Sequence, residues 1–96
     1  MVRAIWNGAV LAESDATRVV EGNHYFPPAS VAADHLVPSD RRSACHWKGE
    51  ASYYDVTVGE AVNPGAAWCY PQPMEAARGI AGHVAFWRGV EVVDEP

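Results

Sequence analysis

The sequence predicts a mainly β, single compact domain of about seven to nine short antiparallel strands, forming a bent sheet, a sandwich or a small open barrel, with one or two short helices. Three observations predict it. Short runs rich in β-branched and aromatic residues recur along the chain. Gly, Pro, Asn and Asp break those runs at close spacing. The best helical patch, Met74-Glu75-Ala76-Ala77-Arg78, is too short to stand alone. The 96 residues suit one domain around one hydrophobic core, 1–96, with no repeat, linker or low-complexity tract.

The opening Val2–Trp6, Asn7-Gly8 and Ala9–Glu13 reads as a β-hairpin, because Asn-Gly tolerates the positive φ that a two-residue turn demands at both positions. A third strand is expected over Thr17–Glu21, a turn at Gly22-Asn23 and a short strand at His24-Tyr25-Phe26. Pro27-Pro28 ends it, since proline donates nothing to a ladder, and Ser30 is placed to cap a short helix over Val31–Leu36. Pro38–Arg42 reads as a polar loop. A second hairpin follows, from Ser43–Trp47 through a Lys48-Gly49 turn into Ala51–Val58. Asn63-Pro64-Gly65 reads as a turn before a strand over Ala66–Tyr70, and Pro71-Gln72-Pro73 as its stop. The chain is expected to close with a third hairpin, His83–Trp87 and Val90–Val93 about Arg88-Gly89, and a frayed tail, Asp94-Glu95-Pro96.

Composition narrows the function. Twelve acids against seven bases give a formal charge of −5 and no basic stripe, so nucleic acid is not an expected partner. No basic start leads into an apolar run of leader type, and no apolar stretch approaches the roughly 20 residues that span a bilayer, so neither a membrane nor an exported state is expected and the cytoplasm is. Two cysteines, Cys45 and Cys69, are expected as reduced thiols rather than a bridge. Four Trp, four Tyr and two Phe supply much of the area that so short a chain can bury.

Chemistry concentrates in Cys45-His46-Trp47-Lys48-Gly49-Glu50-Ala51-Ser52-Tyr53-Tyr54, which gathers a thiol, an imidazole, an amine, a carboxylate and two phenols. Lys48 is the sole lysine against six arginines, hence the one cation able to titrate or attack a carbonyl, unless it is merely solvated at its turn. Cys45 is a nucleophile if His46, Lys48 or a strand edge lowers its pKa, and an inert packed thiol otherwise. In strand geometry Cys45 and Trp47 share one face and His46 takes the other. Trp68 and Tyr70 likewise share a face.

Cys45, Cys69, His24, His35, His46 and His83 are eligible metal ligands, yet none forms a CxxC or HExxH, so no metal site and no cofactor are assigned. Glu50 and Asp55 as an acid–base pair compete with a plain solvated face. No GxSxG, GxxxxGK[ST] or GxGxxG occurs.

Glu21, Tyr25-Phe26-Pro27, Cys45 through Tyr53, Trp68-Cys69-Tyr70-Pro71 and Ala85-Phe86 resemble the pattern of a bacterial family, domain of unknown function 427, sometimes labelled nucleotidyltransferase-like. The resemblance covers nearly the whole chain, with His46 where the family more often has proline. It implies a compact β-rich domain in which Glu21, Cys45, Lys48 and Tyr53 surround a common pocket. It implies no reaction, and the residues carry neither a paired-aspartate metal site nor a phosphate-cradling glycine loop.

Two functions fit. The first is a pocket for a small polar or aromatic ligand, bound by Glu21, Tyr25, Trp47, Lys48, Glu50, Tyr53, Trp68 and Tyr70, with Lys48 or Cys45 as the catalytic group if a reaction occurs. The second is a non-catalytic structural or interaction module, a homodimer being one form, that uses an aromatic sheet face or strand edge.

Overall fold

A computed structural model describes residues 1–96. Nine strands form three antiparallel sheets, joined by 3-10 turns. Strands β1 (Val2–Trp6) and β2 (Ala9–Ser14) make the expected hairpin, with Asn7 and Gly8 both at positive φ, 50° and 78°. A register shift after Ala4 leaves Leu11 as an extra residue opposite β1, so Leu11 and Ala12 are both buried although they are neighbours. Strands β3 (Arg18–Val20) and β4 (Asn23–Tyr25) follow. Their turn is Glu21-Gly22, with φ of 53° and 80°, one residue earlier than expected.

The helix expected over Val31–Leu36 is not formed. Two 3-10 turns, Pro28–Ser30 and Ala33–His35, replace it, and between them the Ala32 amide donates to the Leu11 carbonyl at 2.8 Å. The Ser30 hydroxyl caps nothing; it donates back to the Pro27 carbonyl at 2.7 Å. Pro38–Arg42, expected as a loop, lies within β5 (Leu36–Cys45) as an irregularity in its pairing with β6 (Gly49–Val58). Proline is tolerated there because β5 is the sheet's edge. Similarly, Asn63-Pro64-Gly65 lies inside β7 (Ala61–Cys69), where Asn63 pairs with Val56 and Pro64-Gly65-Ala66 bulge opposite Asp55, while Gly59-Glu60 makes the turn. Met74–Arg78 gives way to a 3-10 stretch, Glu75–Ile80.

The expected closing hairpin is absent. Strand β8 (Val84–Phe86) pairs with β7, whereas β9 (Glu91–Asp94) crosses to the other sheet and pairs with β1. Nor does the tail fray at Asp94 and Glu95: Asp94 faces Val2, and the Glu95 amide donates to the Met1 carbonyl at 2.9 Å.

The four-stranded sheet β5-β6-β7-β8 is covered on both faces, so the single expected core is two. Val56, Ala67, Cys69, Val84 and Phe86 on one face pack with Val2, Ala4, Leu11 and Ala12 of the β2-β1-β9 sheet and with Phe26. Ala51, Tyr53, Trp68 and Ala85 on the other face join Tyr25, Tyr70, Ala77 and Ile80. The β3–β4 hairpin reaches this second face because Phe26 bridges Val84 through two backbone hydrogen bonds of 2.8 and 2.9 Å. No helix is long and apolar enough to cross a membrane.

Phe26 is fully buried and meets Phe86 edge-on, ring centroids 5.7 Å apart. Phe26→Ala is expected to cost about 3–5 kcal/mol of unfolding free energy in a urea titration. The exposed Val62→Ala should stay within about 0.5 kcal/mol.

Candidate functional site

The second face carries a cavity of about 170 Å³. Its floor comes from alternation. Trp68 on β7 stands opposite Tyr53 on β6 and Ala85 on β8, and Tyr70 continues the Trp68 row. Tyr25, Asn23 and Glu21 form one wall from the β3–β4 hairpin, Lys48 closes one end, and Trp87 completes the lining. The rings fix one another edge to face: Tyr25–Trp68 at 6.1 Å and 89°, Trp68–Trp87 at 5.5 Å and 71°. Trp68 Nε1 donates to the Tyr25 hydroxyl at 3.2 Å, and Tyr53 and Ser43 share a hydroxyl hydrogen bond of 2.8 Å.

Lys48 belongs to a three-residue turn, His46-Trp47-Lys48, since β5 ends at Cys45 and Cys45 faces Gly49. The turn is pinned from outside by the Met74 amide, which donates to the Lys48 carbonyl at 2.9 Å. Lys48 is the buried charged residue of the chain, 6% exposed. Its ammonium donates to Glu21 Oε1 and sits 4.7 Å from the Trp47 ring centre and 5.8 Å from that of Tyr70. Burial pulls the Lys48 pKa down, but the hydrogen bond to Glu21 and the neighbouring Tyr70, Cys45 and Tyr25 outweigh it and leave the pKa above its ordinary value. Lys48 is thus an ammonium at neutral pH, an electrostatic anchor rather than a free amine.

The Cys45 thiol is half-buried beside this turn, outside the cavity lining. The backbone N–H of Trp47 leads the effects that hold its pKa below the ordinary thiol value, with the Lys48 amide and ammonium adding to it against partial desolvation. Cys69 lies in the other core, where burial pushes its thiol up. Both cysteines are free, and no three His, Cys, Asp or Glu side chains are grouped to hold a metal ion.

The structure therefore brings Glu21, Tyr25, Lys48, Tyr53, Trp68 and Tyr70 into one cavity and sets Cys45 at its edge. Two expected binding residues lie outside this cavity's lining. Trp47 packs behind Lys48 and lines a neighbouring groove with Val20 and Ala77. Glu50 is exposed and, by alternation with Ala51, projects from the opposite face of β6. Asn23 and Trp87 were not expected. For Trp87 the signal was alternation from Ala85, which faces Trp68, but that holds only once β8 is known to pair with β7.

A family model described as a domain of unknown function (DUF427) matches residues 1–95, and the chain belongs to that family. No curated protein matches it.

Two outcomes follow from the protonation states. Iodoacetamide should alkylate Cys45 with a midpoint below pH 9.0, and Cys69 far more slowly with a midpoint above it, read by peptide mass spectrometry across pH. Burial pushes the Tyr70 hydroxyl from 10.0 up to about 12, and Tyr25 and Lys48 move in the same direction. Groups that hold protons more tightly when folded stabilise fully below their unfolded pKa values and lose that contribution as pH rises through the folded ones. Stability should therefore fall between pH about 10 and 12, and less steeply in Tyr70→Phe, by chemical denaturation at each pH.

Proposed function

We propose that this chain is a cytoplasmic binding domain that takes a small, ring-bearing polar ligand into the aromatic cavity, with the Lys48–Glu21 pair as its polar anchor. The observation that carries this reading is the asymmetry of the pair. The lysine side chain is 7% exposed and its glutamate 57%, so a buried cation faces the cavity while its partner is half in water. A buried charge is costly unless well paired, and an arrangement that leaves one partner free to shift is poorly suited to stabilising the fold alone. A ligand acceptor that bonds the Lys48 ammonium gains a desolvated, charge-assisted hydrogen bond, while Trp68, Tyr70 and Tyr53 enclose its ring.

Any covalent chemistry here falls to Cys45. Its lowered pKa favours the thiolate, whereas the raised pKa of Lys48 withholds the free amine that a Schiff base requires.

Thermal melting of wild type and Lys48→Met across a panel of small polar and aromatic metabolites tests the proposal. A ligand present at about 100 times its Kd should raise the melting temperature by on the order of 10 °C. Compounds that do so should lose the effect in Lys48→Met, whose methylene stem keeps the packing. Should no compound stabilise the wild type, the pocket reading fails and the interaction module takes its place; hits unchanged in Lys48→Met remove the anchor.

A further inference from the structure

Arg41, from the middle of β5, and Arg88, just after β8, lie close together, each over an aromatic ring that lines the cavity. Arg41 lies in the irregular stretch of β5, and its guanidinium carbon is 4.6 Å from the centre of the Tyr53 ring and 5.6 Å from that of Trp87. Arg88, at φ 55°, follows β8 and lays its guanidinium 4.6 Å from the Trp87 ring centre. Both rings line the cavity. The two terminal nitrogens approach one point: a Cβ on Gly65 would lie 3.5 Å from Nη1 of Arg88 and 3.9 Å from Nη1 of Arg41. Gly65 is itself buried, and its bare Cα lets both guanidiniums pack against it.

Neither arginine makes an ion pair, although Arg3 and Arg78 both do in this acid-rich chain. Arg88 Nη1 donates to the Pro64 carbonyl at 3.2 Å, and the Arg41 guanidinium has no protein acceptor. The Asp55 carboxylate accepts the Gly65 amide at 2.8 Å and reaches neither guanidinium at ion-pair distance. Two like charges thus lie side by side at Gly65 with no carboxylate at ion-pair distance from either. A guanidinium stacked on a ring keeps its N–H edge free for a planar oxyanion.

The geometry points to an oxyanion subsite made by Arg41 and Arg88 at the mouth of the cavity, so that the ligand is a flat ring carrying a carboxylate or phosphate. This rests on the pocket proposed above and adds the charge of its occupant. The ring lies among Trp68, Trp87 and Tyr53, and the anionic group reaches the rim, while Lys48 serves a second polar group deeper in.

The test follows the tryptophan indole N–H resonances during titration with benzyl alcohol, benzoate and phenyl phosphate at low salt, in wild type and in Arg41→Gln/Arg88→Gln. Both arginines are exposed, so the double variant should fold, as its amide spectrum will report. All three probes are expected to move the Trp68 and Trp87 signals, with at least one anion binding about tenfold more tightly than the alcohol. That preference should vanish in the double variant while benzyl alcohol binds as before, and the tighter anion identifies carboxylate or phosphate. Equal affinity for all three in wild type overturns the subsite and leaves the pocket standing. A preference that survives the double variant also overturns it, assigning the anion to Lys48. If no probe moves either indole, the pocket itself fails and the subsite with it.

Discussion

Everything in this molecule depends on the period of two along β6, β7 and β8. Successive side chains leave a strand on opposite faces, so Trp68 and Cys69, or Tyr53 and Tyr54, are neighbours in sequence and belong to different cores. One face receives alanines, aliphatic groups and the Phe26–Phe86 pair, packs against the β2-β1-β9 sheet and supplies stability. The other receives tyrosines, tryptophans and the lysine, and is closed only by a short hairpin and a 3-10 stretch. Division of the sheet into a sealed side and a lightly covered side lets 96 residues hold both a core and a cavity.

Two tight turns then set the polar end. Glu21 occupies a left-handed position at a two-residue turn, and Lys48, 27 positions later, ends a three-residue one. Each turn belongs to a separate sheet. The ion pair therefore forms only when the β3–β4 hairpin has docked on β8 through the Phe26–Val84 bridge. The pair reports docking as much as it stabilises it, since the gain from a half-exposed carboxylate is modest beside the desolvation of the ammonium.

What could be read from the residues was local. Asn7-Gly8 announces its hairpin because the demand for positive φ is met within two residues, and the shared face of Trp68 and Tyr70 follows from strand geometry alone. What could not be read depends on distant pairing. Arg88-Gly89 has the chemistry of a hairpin turn, yet β9 gains a better partner in β1, so the chain crosses between sheets there. Pro38 and Pro64 look like loop residues and lie within strands, tolerated by an edge in one case and a bulge in the other. The same limit governed the site. Glu21, Lys48 and Tyr53 were grouped through the family resemblance, which also put Cys45 among them although it lies outside the lining, whereas Trp87 joins the lining only through the β7–β8 register and Arg41 comes over Tyr53 only through the β5 irregularity. Trp47 and Glu50 were drawn in by sequence adjacency alone, which strand and turn geometry does not respect.

The edge-to-face contact of Trp68 and Trp87, 5.5 Å apart at 71°, has an optical meaning. Two indoles so close and so strongly inclined couple their ultraviolet transitions, and inclined coupled chromophores produce a paired circular-dichroism band that neither shows alone. Because both rings line the cavity, the protein carries a built-in chiroptical gauge of that space, one that responds to changes of ring angle too small to alter the backbone. Occupancy, closure and loosening of the site can thus be followed by light absorbed within its own walls, without a label and without a catalysed reaction.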